Sequence, residues 1–268
     1  MSCISKKLIF LMILFCGCST LQKADEVVYS DKLEYRQGAI CRGLKDNKEM
    51  ALVFTGGSFG EGLETILDEL KARNIKAGFF FTGEFFEIDS HKSLIRRLVK
   101  EGHYLGPHSD KHLLLASWDD GSTQVTKEEF TEDLLKNIDR CVKFGFKRKD
   151  IRYWIPPFEH INEEVCGWAR EAGIETFNFS RGTLSSTDWA PESYKGFRPS
   201  ERIIKSIRDY PSKDTYGYNG FIMLMHVGAG ERKDKLHYHF SEILDLLRDY
   251  KFTRIDYLLD KGICNTNT

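Results

Sequence analysis

The chain has 268 residues, of which 41% are hydrophobic, and this is enough to form the core of one sizeable domain. Its 39 lysines and arginines nearly balance its 40 acidic residues, so the overall charge gives no support to a nucleic-acid partner. The cysteines beyond Cys18 lack the spacing of a zinc finger. Export would permit disulfides, but the sequence leaves their pairing open.

The first residues are typical of an export signal. Two lysines precede a short apolar run, residues 8–15, that is too short to span a membrane as a stable helix. Gly17-Cys18 resembles a bacterial lipoprotein processing site, so we predict a signal peptide over residues 1–17 and a lipid anchor on Cys18. Plain cleavage is the alternative. Residues 18–48 are predicted to form a tether and lead-in, and the protein is expected on a bacterial membrane, in the periplasm or at the cell surface.

From residue 51 onward, short apolar runs alternate with amphipathic segments. Strands are predicted at residues 51–55, 77–82, 103–106, 152–155, 175–179, 220–226 and 253–258. Helices are predicted at residues 62–74, 93–100, 126–143, 162–172, 200–209 and 237–250. The helix over 126–143 opens with a capping-box pattern. This alternation predicts an α/β fold, a distorted (β/α) barrel of seven or eight parallel strands over residues 49–262 with a tail at 263–268.

Several candidate functional residues follow the carboxyl ends of the predicted strands, which form one rim of a parallel barrel. His108 and His112 are four positions apart, a spacing that would place both imidazoles on one face of a helical turn and let them bind one metal ion. The structural alternatives are solvated imidazoles for this pair, a buried imidazole satisfied by the backbone for His226, and rim packing for Phe158 and Trp189.

These residues give the chain a resemblance to the polysaccharide deacetylases of the NodB-homology type, carbohydrate esterase family 4, from about residue 51 to 258. Four sequence motifs carry the resemblance: His108-Ser109-Asp110-Lys111-His112, Pro156-Pro157-Phe158, Asp188-Trp189 and Leu224-Met225-His226. Together and in this order they are a fairly specific set.

The resemblance implies metal-dependent removal of acetyl groups from a polysaccharide such as chitin, peptidoglycan or xylan. His108 and His112 would bind a divalent metal, zinc first, with cobalt or nickel as alternatives. His226 would protonate the leaving group and Asp188 would position charge. The substrate would be bound by Pro157, Phe158, Trp189 and Leu224.

The chain departs from this family at the first motif. Thr55 stands where the family has its base Asp, and Gly56 stands where it has the Asp that binds the metal. Ile155 replaces an Arg, and Glu159 replaces a Gly. A hydroxyl cannot act as a carboxylate base at neutral pH, and glycine offers no ligand atom.

A substitute carboxylate could come from Asp110, Glu61 or Glu159, and Glu61 is the best placed of the three in the sequence. The sequence therefore favours an exported deacetylase-like hydrolase with weak or altered activity. The alternative is a catalytically inactive carbohydrate-binding protein with the same barrel. A third possibility is a different metal-dependent hydrolase of glycans.

Overall fold

A computed structural model describes residues 30–263. The predicted signal peptide, the predicted lipid anchor on Cys18 and most of the predicted tail lie outside the described residues. Within this range, none of the helices combines the length and the apolar character needed to cross a membrane.

The described residues contain nine strands and eight α-helices. The strands are β1 Glu34–Arg36, β2 Ala39–Arg42, β3 Glu49–Gly56, β4 Gly78–Phe81, β5 Tyr104–Pro107, β6 Tyr153–Trp154, β7 Glu175–Thr176, β8 Ile222–His226 and β9 Lys251–Phe252. The helices are α1 Leu63–Ala72, α2 Gly83–Glu87, α3 Asp89–Lys100, α4 Lys127–Lys143, α5 Glu163–Glu171, α6 Ser200–Asp209, α7 Phe240–Leu246 and α8 Ile255–Asp260.

Parallel strands form the centre of the molecule, as the sequence predicts. The order β5-β4-β3-β8 makes the main sheet, β9 pairs with the start of β3, and β6 pairs with β7. All eight residues of β3 are buried, because helices cover one side of this strand and the barrel interior lies on the other. The predicted α/β barrel of NodB type is confirmed.

The predicted lead-in contains a hairpin that the sequence analysis did not predict. Strands β1 and β2 pair antiparallel, and every residue of β2 is buried. Ile40 of β2 forms a parallel bridge with Phe177, just after β7. The hairpin escaped prediction because its apolar run is only three residues long and shows no period. It belongs to the barrel rather than to a tether.

The predicted strand over residues 253–258 is wrong, because these residues lie mostly in helix α8. Ile255, Leu258 and Leu259 are buried together, which is the spacing of one helix face. The predicted helix over 237–250 is shorter than expected and is preceded by a 3-10 turn, Leu236–His239. By contrast, α4 begins with the predicted capping box between Thr126 and Glu129.

Candidate active site

The carboxyl ends of the barrel strands bring the candidate residues to one edge. His226 is the last residue of β8 and lies opposite Thr55 of β3 in the parallel register. His108 follows β5 directly, and the turn Pro157–Glu159 follows β6. The sequence predicts this common edge correctly, because the positions follow from strand order alone.

The two metal-candidate histidines lie in a loop and not on a helical turn, which corrects the prediction. Ser109 and His112 have positive φ angles of 67° and 55°, so the chain after Pro107 turns sharply instead of winding into a helix. The carboxylate of Asp133 accepts hydrogen bonds from the backbone N–H groups of Asp110 and Lys111 and holds the loop in this shape. The two imidazole centroids nevertheless lie 5.2 Å apart.

His108 is held in one tautomer by the backbone. Its Nδ1 lies 2.9 Å from the carbonyl oxygen of Ile155, which can only accept, so Nδ1 carries the proton and Nε2 keeps a lone pair. Burial, with a smaller contribution from His112, lowers the pKa of His108 to about 3. The buried hydrogen bond at Nδ1 fixes the ring. The free lone pair of Nε2 can therefore act as a metal ligand or accept a hydrogen bond.

His226 and Asp188 form a close pair at the same edge. Asp188 Oδ1 lies 2.6 Å from His226 Nδ1, and Oδ2 accepts a hydrogen bond of 2.9 Å from the backbone N–H of His226. Burial lowers the pKa of His226, but the charge of Asp188 and its hydrogen bond outweigh burial, so the pKa is raised above its ordinary value. The pair therefore favours an imidazolium that donates through Nε2.

Apolar groups crowd Gly56, the position where the resemblance leads one to expect a metal ligand. A Cβ atom on Gly56 would lie 2.7 Å from Val227 Cγ2, 2.9 Å from the ring of Phe85 and 3.0 Å from the ring of Phe81. Beside it, the hydroxyl of Thr55 is buried and has no hydrogen-bond partner in the structure. Thr55 and Gly56 thus provide neither a carboxylate ligand nor open space for one.

The residues present do not fit the metal centre that the family implies. Such a centre needs a third protein ligand, usually with negative charge, beside the two imidazoles. Across residues 30–263, no group of three or more His, Cys, Asp or Glu side chains is arranged to hold a metal ion.

Two of the three candidate substitute carboxylates have other partners. Asp110 forms ion pairs with Arg140 and with Lys136, the latter at 2.8 Å. Glu61 forms an ion pair with Lys235 and accepts a hydrogen bond from the backbone N–H of Ala229. The structure therefore gives no support to Glu61, which the sequence favours.

The third carboxylate, that of Glu159, lies near enough to His226 and Asp188 for their charges to act on it. It makes no hydrogen bond or ion pair with the described residues. Burial raises the pKa of Glu159 to about 7, with His226 acting in the opposite direction and Asp188 in the same one. Its φ is +52°, a conformation that the glycine it replaces would adopt more easily.

Exposed aromatic rings lie on loops that also carry candidate residues. Phe158 is 44% exposed and its ring centroid lies 4.4 Å from that of His112. Trp118 is 62% exposed and stacks on His160 at 4.1 Å. Trp189 is 44% exposed and lies against Tyr194.

The sequence motifs include Phe158 and Trp189 but not Trp118 and Tyr194, which lie in loops without a motif. Two other predicted substrate-binding residues, Pro157 and Leu224, are buried. Both residues can pack beneath the edge that carries the site, but the Leu224 side chain is not exposed at that edge.

Comparisons with known proteins agree with this architecture. The polysaccharide deacetylase family model matches residues 42–177. A peptidoglycan-N-acetylglucosamine deacetylase of Bacillus cereus is 32% identical over 148 residues, 55% of this chain and 48% of that protein. The chain thus spans about half the length of this relative. The peptidoglycan-N-acetylmuramic acid deacetylase PdaA of Bacillus subtilis is 26% identical over 81% of this chain and 73% of that protein.

Solved structures share the fold. The Bacillus subtilis PdaA structure, a family 4 carbohydrate esterase, has a TM-score of 0.66 at 25% identity and covers 85% of this chain and 87% of that one. A pseudoenzyme of the same esterase family from Bacillus anthracis has a TM-score of 0.65 at 20% identity, over 85% of this chain and 70% of that one. At this level of identity, the second match concerns the fold alone.

Proposed function

Because the chain belongs to the polysaccharide deacetylase family, we propose that its barrel binds an acetylated glycan at the edge formed by His108, His226 and the exposed aromatic rings. We further propose that it does not hydrolyse the acetyl group by the metal-dependent route of its family. The protein would then be a carbohydrate-binding member of a family of hydrolases.

The apolar filling around Gly56 is the observation that carries this proposal. A metal held by two neutral imidazoles lacks the carboxylate that would fix it and offset its charge. A side chain at position 56 would begin with a Cβ atom 2.7 Å from Val227 Cγ2, so a carboxylate there would require Val227 to move. Thr55 cannot remove a proton from water at neutral pH, so the base is missing as well.

The remaining groups support ligand binding. The raised pKa of His226 favours an Nε2–H that can donate to an acetyl carbonyl oxygen, with Asp188 stabilising the charge from the other side of the ring. The exposed rings of Phe158, Trp118 and Trp189 offer flat apolar surfaces to the C–H faces of sugar rings. None of these contacts requires a metal.

The test compares binding with hydrolysis in the same purified protein. We expect an oligomer of N-acetylglucosamine to bind, measured by calorimetry, and we expect binding to persist after treatment with a chelator. The fully deacetylated oligomer should bind less tightly, because it lacks the acetyl oxygen. Acetate release should stay at background with or without added zinc.

Aromatic variants test which surface is used. We expect Trp189→Ala to weaken binding by roughly threefold to tenfold, the loss typical of one aromatic contact. Tyr257→Ala is the matched control, since Tyr257 is 56% exposed on helix α8, away from the loops that carry the site. Loss of binding in the control alone, or rapid acetate release with zinc, would overturn the proposal.

A second candidate function is a weak deacetylase with an altered site, favoured by the intact Asp188–His226 pair. In that case acetate release would depend on added zinc, cobalt or nickel and would disappear in His226→Ala. A rate of acetate release that does not depend on added metal and is equal in wild type and His226→Ala would exclude this function.

Export and the lipid anchor remain predictions from the sequence. The relatives named above include bacterial peptidoglycan deacetylases, which fits a substrate outside the cytoplasm. We expect Cys18→Ser to move the protein from the membrane fraction to the soluble fraction of a bacterial host. Unchanged membrane association in this variant would argue against a lipid anchor at Cys18.

A further inference from the structure

A cavity lined by basic residues lies apart from the candidate active site. Its volume is about 310 Å³, and its walls come from the β1–β2 hairpin, from the residues after β7 and from the segment after α6. A space of this size is at the lower end of the range found for small-molecule sites. We call it the basic cavity.

The hydrogen bonds of Ser180, which lines the basic cavity, fix its position along the barrel. The backbone N–H of Ser180 donates to the carbonyl oxygen of Ile222 at 3.0 Å, and its hydroxyl accepts a 2.9 Å hydrogen bond from the N–H of Ile222. Ile222 is the first residue of β8 and His226 is the last, so roughly 13 Å of extended strand separates this level from His226. The basic cavity is therefore distinct from the edge that carries the candidate active site.

The charges around the basic cavity are unequal. Two acidic and five basic residues line it: Glu34 and Asp214 against Arg36, Arg42, Lys45, Arg181 and Lys213. The chain as a whole has a net charge of −1, so this excess of cations is local. A cavity lined mainly by one sign of charge concentrates ligands of the opposite sign.

Two of the five cations are already paired with the two acids. Arg42 is buried, lies 3.0 Å from Asp214 and also donates to two backbone carbonyl oxygens. Lys45 Nζ lies 3.1 Å from a carboxylate oxygen of Glu34. Both carboxylates are thus engaged, and Arg42 has spent its donors on the protein itself. The charge available to a ligand comes from the other three cations.

The side chains of Arg36, Arg181 and Lys213 make no hydrogen bond or ion pair with any residue from 30 to 263. Arg36 is half-buried on β1, whereas Arg181 and Lys213 are exposed on the segments after β7 and after α6. A guanidinium offers paired N–H donors that match two oxygens of a phosphate, and an ammonium adds a point charge. Three unpaired cations from three segments can therefore close around one anionic group.

The number of unpaired cations favours a phosphomonoester over a singly charged anion. A phosphomonoester carries a charge of about −1.5 to −2 near pH 7 and has three terminal oxygens that accept hydrogen bonds. A carboxylate or a phosphodiester carries only one negative charge and would leave more of the cations uncompensated. We propose that the basic cavity binds the phosphomonoester group of a second ligand, which is not the glycan. This inference goes beyond the proposed function and does not depend on it.

The first experiment titrates the whole protein with three small probes, methyl phosphate, dimethyl phosphate and acetate, and follows binding by ligand-detected NMR. At low salt and pH 8 we expect methyl phosphate to bind about tenfold more tightly than the other two, and added salt should weaken its binding. At pH 5 methyl phosphate is mostly a monoanion, because its second pKa is about 6, so its advantage should shrink. Equal affinity for methyl phosphate and acetate at pH 8, or no binding of either, would overturn the proposal.

The variant Arg36→Gln/Arg181→Gln should bind methyl phosphate at least about tenfold more weakly than wild type. Arg248→Gln, an exposed arginine without a side-chain partner in the described part of the chain, is the control and should keep the wild-type affinity. An unchanged affinity in the folded double variant would contradict the assignment. If circular dichroism shows that the double variant does not fold, Lys213→Gln takes its place, with a loss of about threefold expected and an unchanged affinity counting against the site.

The source of the phosphomonoester is tested with vesicles of phosphatidylcholine, with and without phosphatidic acid, whose headgroup is a phosphomonoester. Binding that needs phosphatidic acid and is lost in the double variant assigns the site to a lipid headgroup. Binding of methyl phosphate without such vesicle binding assigns it to a soluble phosphate ester.

One further measurement separates this inference from the proposed function. The double variant should bind an oligomer of N-acetylglucosamine as tightly as wild type does. A matching loss of oligomer binding would place Arg36 and Arg181 in the glycan site and overturn a separate cavity. Absence of oligomer binding in wild type would overturn the proposed function and leave the phosphate site standing.

Discussion

The buried hydroxyl of Thr55 has no partner in the structure, so it lowers stability without a compensating bond. We expect Thr55→Val to leave the free energy of unfolding unchanged or to raise it by about 1 kcal/mol, measured by urea denaturation. Thr176→Val is the matched control, because its hydroxyl accepts a 2.8 Å hydrogen bond from the indole of buried Trp154. That variant should lose about 1–2 kcal/mol. A Thr55→Val protein that is destabilised as much as the control would indicate a partner for Thr55.

The contacts around Gly56 predict the result of restoring the family's aspartate. Gly56→Asp should lower the free energy of unfolding by roughly 2–4 kcal/mol, since the new carboxylate must displace apolar groups and is itself buried among them. It should not create a zinc site, as measured by metal content after dialysis. The control is Gly57→Asp, because a Cβ there has no neighbour within 4 Å. Stoichiometric zinc in Gly56→Asp, without loss of stability, would contradict this account.

The Asp188–His226 pair predicts a pH dependence of stability. The pKa of His226 is raised in the folded protein, so its pairing stabilises the fold fully below the unfolded pKa. That contribution is lost as the pH rises through the folded pKa. We therefore expect the difference in unfolding free energy between wild type and His226→Gln to be full below about pH 6.5 and to shrink as the pH rises through the raised pKa of His226 in the folded protein.

Three other titrating groups lie near His226, namely Glu159, His108 and His112. The same comparison is therefore repeated after Glu159→Gln is introduced into both the wild type and the His226→Gln variant. The pKa of Glu159 is raised by burial, so its ionisation opposes folding as the pH rises. A His226 difference that grows with pH in the Glu159→Gln background would show that Asp188 does not stabilise the imidazolium.

The β1–β2 hairpin shows how a short element can complete the barrel. Ile40 is fully buried and joins the hairpin to the chain after β7. We expect Ile40→Ala to lower the free energy of unfolding by about 2–4 kcal/mol, measured by chemical denaturation. Lys32→Ala, an exposed position before the hairpin, should have no measurable effect. If both variants are as stable as wild type, the hairpin is a dispensable lead-in.

The elements that could be predicted from the sequence are those with a long, regular pattern. Helix α4 spans seventeen residues with a capping box, and both its type and its capping residue, Thr126, follow from the sequence. Helix α8 is six residues long, and such a short apolar run fits a strand or a helix equally well until its packing is known. The strands of the β1–β2 hairpin are shorter still, at three and four residues.

At the scale of the whole molecule, the order of strands and helices predicted one functional edge, because every carboxyl end of a parallel barrel faces the same way. What lies between the motifs could not be predicted. Phe85 and Val227 are far apart in sequence, and only the folded barrel shows that they meet at Gly56. The near-zero net charge likewise hides a local excess of cations, since basic residues from the hairpin and from the segment after α6 line one cavity only in three dimensions.

The packing at Gly56 also bears on how this edge of the barrel could be redesigned. Its three neighbours belong to β4, to α2 and to the residue after β8, so a side chain at this position needs adjustments in three separate segments. A single exchange at Gly56 disturbs close-packed groups at once. We therefore expect a redesigned metal ligand here to require compensating substitutions among these neighbours before it can act.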